Sequence, residues 1–252
     1  MDEAGSQECA VAGEHAVGRA ADGAEPARYR HEALAVILQV RSEADACVLS
    51  VLAWRRRRAP FAGDWALPSG PVGPEEAIGA SVRRHLATQV DLAEIAHLEQ
   101  LRTLSAPGRD PSQRTIATAY LGLVPATSRP RLPAHAAWLP VDALQPMAFD
   151  HAHVVGEGVA RMRSKLSYTN IAFALAPPEF TLAELRDIYE AALDQEVAVT
   201  NLQRILVRRG QLAATGGLAE PGEHGGRPAR LYRFTTRELE VTDPFAVLKP
   251  SR

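Results

Sequence analysis

Apolar positions in the first half of the chain come in short unbroken runs. ALAVILQV (33–40) and ACVLSVLAW (46–54) are apolar and rich in β-branched residues, with the polar turn RSEADA between them, and predict two buried strands. EQLRTL (99–104), TIATAYLGLV (115–124) and AAWLPV (136–141) predict three more, separated by turns rich in Pro, Gly and Asp. RRRRAPFAGDWALPSG reads as a loop. Pro74 then sits where the first turn of a helix tolerates proline, with Glu75 and Glu76 near its positive end. Ala77, Ser81, Val82, Leu86 and Val90 share one face of that helix. Strands interleaved with few helices predict an α/β fold, a mixed sheet between helices, over residues 29–150.

The spacing changes after residue 150. HAHVVGEGVARMRSKLSYTNIAFAL (151–175) repeats at helical period with a glycine-containing break. Thr181 and Glu184 have the Thr-x-x-Glu spacing of a capping box, and Leu182, Leu185, Ile188, Tyr189 and Leu193 face one way behind it. In TNLQRILVRRG, Leu202, Ile205 and Leu206 form a core face and Gly210 ends the helix. QLAATGG and ARLYRF predict two strands around the loop GLAEPGEHGGRP. Helices followed by a β-hairpin are the order of a winged helix-turn-helix, placed with a linker helix at 151–240. Residues 1–28 have little periodicity and predict a flexible tail, and residues 241–252 are read as a second tail.

Charge sharpens this division. The whole chain carries −2, yet Ala198 to Arg237 holds seven arginines against two glutamates, while residues 177–197 hold six acids against Arg186 alone. A net acidic chain does not advertise a polyanion partner, but a basic last helix and hairpin do so locally. Asn201, Gln203, Arg204 and Arg208 face away from the apolar side, and Asn, Gln and Arg pair with base edges in the major groove. Arg227 and Arg230, in and beside a glycine-rich loop, suit backbone or minor-groove contact. The other readings of the same residues are a solvated basic helix and a protein-docking face. Cys9 and Cys47 lack metal-ligand spacing, no apolar run approaches membrane-spanning length, and the N-terminus lacks a signal-peptide pattern. A cytoplasmic protein with no membrane partner is the expectation.

Candidate chemistry lies in LPSGPVGPEEAIGASVRRHLATQVDL (67–92). Gly70, Glu76 and Arg84 have the spacing of Gly-x5-Glu-x7-Arg-Glu-apolar-x-Glu-Glu-x-Gly-apolar, and the stretch resembles the Nudix box. The lead-in APFAGDWALPSG strengthens the resemblance, with Ser69 where a glycine is usual. The three acids after the arginine, which hold magnesium in that motif, read His85, Thr88 and Gln89, and the closing glycine reads Asp91. Hard divalent cations take oxygen ligands, so metal-dependent hydrolysis is not expected. The arginines at 55–58, Arg56 and Arg58 foremost, suit a diphosphate clamp or a solvated turn. Phe61 and Trp65 suit either an adenine or ribose site or the core.

Taken with RDPSQRTIATAYLGLVP (109–125), FDHA (149–152), EFTLAELRDIYEAAL (179–193), TNLQRIL (200–206) and GGRPARLYRF (225–234), the chain resembles the Nudix-related transcriptional regulators of NAD metabolism, the NrtR family, over about residues 30–236. The resemblance implies a DNA-binding repressor of NAD synthesis or salvage genes. It would act as a homodimer on a near-palindromic duplex operator and need no cofactor, with ADP-ribose or a related NAD-derived nucleotide as effector. In that family Glu76 mainly braces the loop against Arg84. The resemblance also places Arg109, Asp110 and Arg114 near the nucleotide, Asn201 and Arg204 on the reading helix and Arg227 on the wing, while Thr200, Gln203, Arg208, Arg209 and Arg230 complete the candidate DNA contacts. The alternative is an active Nudix pyrophosphatase on ADP-ribose or a dinucleotide. Ser69 and Val72 replace a usual glycine and aromatic in the loop, which bears on ligand preference.

Overall fold

The structure is a computed structural model and describes residues 28–43, 46–220 and 228–243. Arg227 and nearly all of both expected tails lie outside the described residues. Among the described residues, β1 (Arg30–Glu43), β2 (Ala46–Arg55), β3 (Trp65–Ala66), β4 (Ser69–Pro71), β5 (His97–Leu104), β6 (Thr115–Val124) and β7 (Ala136–Pro140) form one mixed sheet. β1 lies at its centre, parallel to β6 and antiparallel to β2 and β4. That position explains the unbroken apolar run, because a central strand is covered on both faces. Ala33, Ala35 and Ile37 pack under α1 (Ile78–Val90), against Val82, Leu86 and Val90. The alternate residues Leu34, Val36 and Leu38 pack on the other side.

That other face is covered by α2 (His151–Tyr168) and α3 (Leu182–Leu193). α2 runs unbroken through Gly156 and Gly158, contrary to the break expected there. A Cβ on Gly158 would stand 2.8 Å from Val36 Cγ1, so the glycine lets the helix lie close on β1. The helix read as a linker therefore covers the sheet. It ends where Thr169 turns extended, before a 3-10 turn at Ile171–Ala174. At α1 the expectation is also corrected. The helix begins at Ile78, four residues after Pro74, and Ala77 is its exposed cap. β3 and β4 were not expected from the sequence. At two and three residues they are too short to show a period.

α3 opens with the expected capping box, each partner bonding the other's backbone. α4 (Val199–Arg208) buries Leu202 and Leu206, and β8 (Leu212–Leu218) pairs with β9 (Arg230–Phe234). Phe180 bridges Tyr232 and sets its ring 5.4 Å from Phe234, closing a winged helix-turn-helix. Leu185 and Ile188 of α3 belong to the same apolar cluster as Val36 and Val51, so the winged helix is seated on the sheet. The second expected tail is corrected at its start: Val241 bridges Thr169, and the backbone N–H groups of Thr242 and Asp243 bond the Tyr168 carbonyl.

Candidate functional site

The stretch 67–92 becomes β4, a tight loop and α1. Glu76 lies before the helix and holds the loop. Its carboxylate accepts Arg84 Nε at 2.8 Å and Nη2 at 2.7 Å, and the Gly73 N–H at 3.2 Å. These bonds, the Arg84 fork first among them, hold the carboxyl down at about 2. Arg84 also donates to the Pro71 carbonyl. Glu76 and Arg84 are thus spent on the loop.

The three positions that carry acids in the resembled motif are also turned onto the protein. His85 is buried, and its Nε2 donates to the Pro71 carbonyl at 3.1 Å. Burial lowers its proton affinity, leaving a neutral ring. A Cβ on Gly70 would come 2.3 Å from His85 Cε1, so that ring occupies the space over β4 and demands the glycine. Thr88 Oγ1 donates to the Arg84 carbonyl one turn back, at 2.8 Å. Gln89 clamps Ser69 from both sides, donating to its carbonyl at 2.7 Å and accepting its N–H at 3.2 Å. Among the described residues, no three His, Cys, Asp or Glu side chains gather as a metal centre. This donor set does not fit magnesium, which needs several converging oxygens.

Beside this loop lies a cleft of about 500 Å³. It brings together Arg56, Arg57, Arg58, Gly70 and Asp110 of the expected residues, and adds Arg30, His85, Gln89 and Phe149. Four guanidinium groups against the carboxylates Glu32 and Asp110 leave the cleft positive, which suits a diphosphate. Arg56 is partly desolvated, which lowers its pKa, stacks 4.6 Å over the Phe149 ring and donates to the Pro60 carbonyl. Asp110 is shaped by its own loop, accepting the Ser112 N–H and the Thr115 hydroxyl. A hollow of about 690 Å³ opens between the β1–β2 end and α3, but none of the expected ligand residues lines it.

Other expected ligand residues stand outside the cleft lining. Trp65 is in the core, its Nε1 bonded to Gln145 and its ring under Arg55 at 4.1 Å. Phe61 is 40% exposed and packs edge-on against Phe149 at 4.9 Å. Both Phe61 and Phe149 have positive φ, a strained conformation for bulky residues that only firm surroundings sustain. Arg109 is almost wholly buried and bonds Asp150 in a fork at 2.7 and 3.1 Å, because a desolvated guanidinium needs a carboxylate. Arg114 reaches the Ser105 carbonyl and lies over Tyr29. Phe149 was missed as a site residue, although FDHA was part of the resemblance. Its inward turn is set by backbone geometry, which the letters do not carry. Next to it, His151 is fully buried and accepts the Leu67 N–H on Nδ1, and desolvation holds it neutral to about 3.

The second candidate surface is α4 with the hairpin. Thr200, Asn201, Arg204 and Arg208 are exposed on one side, as is Arg230 at the base of the wing. Arg204 Nη2 donates to Asn201 Oδ1 at 2.8 Å, which stiffens both side chains. Gln203 is half-buried beside the Tyr232 hydroxyl. Arg209 is the exception among the expected readers. It turns inward to Asp243 at 2.8 Å, with side-chain exposures of 14% and 19%.

Residues 29–157 match the family profile described as NUDIX domain, and residues 172–234 match the NrtR DNA-binding winged helix domain. The chain is 29% identical over 203 residues to the ADPR responsive transcriptional repressor NtrR of Acinetobacter baylyi, covering 78% of this chain and 80% of the relative. Shewanella oneidensis NrtR superposes with a TM-score of 0.69 at 28% identity, over 81% of this chain and 94% of that one. The same protein complexed with a 27mer DNA gives 0.68 at 25% identity, over 81% and 93%.

Proposed function

Since the chain belongs to the Nudix family and carries an NrtR-type DNA-binding winged helix domain, we propose that it is a transcriptional repressor whose Nudix domain senses ADP-ribose or a related NAD-derived nucleotide without cleaving it. The Acinetobacter relative is an ADPR responsive transcriptional repressor, and the Shewanella relative has been crystallised with a 27mer DNA. One observation carries the non-hydrolytic part: His85, Thr88 and Gln89 bond the backbone of their own loop and helix. The same bonds make the pyrophosphatase reading the weaker one.

The cleft arginines Arg30, Arg56, Arg57 and Arg58 supply the counter-charge for the diphosphate. Asp110 faces ribose hydroxyls, and Phe149, stiffened by Phe61, offers an aromatic wall. Arg204 and Arg208 read or grip DNA, with Arg230 on a flanking phosphate. A homodimer would set two α4 helices about 34 Å apart or a multiple of it, on a near-palindromic operator in the cytoplasm. Nucleotide binding changes operator affinity only through unequal affinity for the DNA-fitting and non-fitting arrangements, and such coupling is typically about 5–150-fold. The test uses duplexes selected from a random pool by the full-length protein, with binding followed by fluorescence anisotropy. Sequence-selective, salt-sensitive binding that ADP-ribose shifts supports the proposal. Selection of no duplex, or indifference to saturating ADP-ribose and to NAD-derived nucleotides related to it, refutes it.

A further inference from the structure

The C-terminal strap at residues 238–243 lies beyond the matched winged-helix segment and joins two helices with separate tasks. On one side it closes the end of α2, the helix that lies on the sheet. The Tyr168 carbonyl accepts the N–H groups of Thr242 and Asp243. Asn170, 2% exposed, donates to the Glu238 carbonyl and accepts the Glu240 N–H, both at 2.8 Å. On the other side the strap holds the end of α4. Arg209, the residue that ends that helix, pairs with Asp243 at 2.8 Å, and buried Gln211 donates to Thr242 Oγ1 at 2.6 Å. α4 itself packs against α3 and β8. The strap is therefore a hydrogen-bonded tether running from the sheet-covering helix to the reading helix, through side chains withdrawn from solvent.

We propose that this strap fixes the angle of α4 against α2, and that Arg209 and Asp243 are positioning residues for operator binding rather than DNA contacts. The inference rests on the functional reading above. Two reading helices must meet the groove at a set spacing, so a small rotation of α4 changes the fit on DNA. A displacement that nucleotide binding imposes on the sheet and α2 reaches α4 by the seat of α3 and by the strap. Cutting the strap leaves α4 held by its packing on α3 and β8, with less to fix its tilt.

The test compares full-length wild type with Asp243→Ala and Arg209→Ala on a pool-selected duplex. The readout is the factor by which saturating ADP-ribose changes duplex affinity, alongside ADP-ribose affinity in the absence of DNA. We expect both variants to bind ADP-ribose within about twofold of wild type while the coupling factor falls several-fold, from a wild-type value of about 5–150. The swap Arg209→Asp with Asp243→Arg restores part of it. A merely structural pair would lower the melting temperature and leave the factor unchanged. Should Asp243→Ala fail to bind ADP-ribose, the milder Asp243→Asn is read in the same way. Variants that respond as wild type does overturn this inference alone. A wild type that does not respond overturns it together with the functional reading.

Discussion

Two helices of similar length show opposite uses of polar side chains. On α1, His85, Thr88 and Gln89 all turn onto the protein's own backbone, and Arg84 is consumed by Glu76. On α4, Asn201, Arg204 and Arg208 stand exposed, and Arg209, at its end, is folded in. A catalytic motif and a reading helix both need polar groups held ready for a partner. α4 presents them, whereas the motif positions 85, 88 and 89 of α1 do not. The polar groups at the motif positions are used up on their own loop and helix, and the positive charge of the cleft comes from the arginines that line it.

The largest expected effect concerns the withdrawn groups beside the cleft. His151 stays neutral in the fold down to about 3, against an ordinary 6.5, so the unfolded chain takes up its proton first as pH falls. Stability is therefore whole above 6.5 and drains between 6.5 and 3, by roughly 4 kcal/mol at the lower end. His151→Gln, which retains an acceptor for the Leu67 N–H, should flatten that slope in urea unfolding measured across the window. If wild type and variant lose stability in parallel, the buried ring is not the cause.

On the exposed helix, Arg204→Ala with Arg208→Ala should weaken duplex affinity about 100-fold. The log–log salt slope should shrink by roughly one per lost phosphate contact. Nucleotide affinity is expected to stay unchanged, and undiminished duplex binding would move the DNA surface elsewhere. Gly70→Ala drives a methyl into the His85 ring and should cost about 2 kcal/mol in thermal unfolding, with ADP-ribose affinity falling alongside. A neutral result would mean that the ring is free to move. Gln89→Ala removes both bonds to Ser69, and about 1 kcal/mol is expected, with no gain of hydrolysis in the presence of magnesium. Turnover appearing in that variant would show a latent catalytic site beneath the clamp.

Regular elements were legible because burial leaves a period in the letters. β1 is apolar at every position from Ala33 to Leu38 since both faces are covered, and the capping box of α3 is a local bond between residues three apart. Gly158 misled because a helix-weakening residue also lets a helix lie close on a strand. The site was legible only in part. Glu76 and Arg84 keep the spacing of the resembled motif, and the resemblance implied the bracing of the loop that their bonds make. Arg109, Trp65 and Arg209 carry the right chemistry for ligand contact, but their partners Asp150, Gln145 and Asp243 lie 41, 80 and 34 residues away. Whether a charged side chain faces a ligand or a distant partner is decided by tertiary packing, which no local pattern encodes.

The most direct measurement follows anisotropy of a pool-selected duplex with full-length protein and ADP-ribose over hours, with magnesium in one arm and a chelator in the other, the nucleotide being recovered by chromatography. A steady shift of equal size in both arms, with ADP-ribose recovered intact, is the predicted result. A shift seen only with magnesium, or one that decays as AMP accumulates, would mean that the cleft still cuts what it binds.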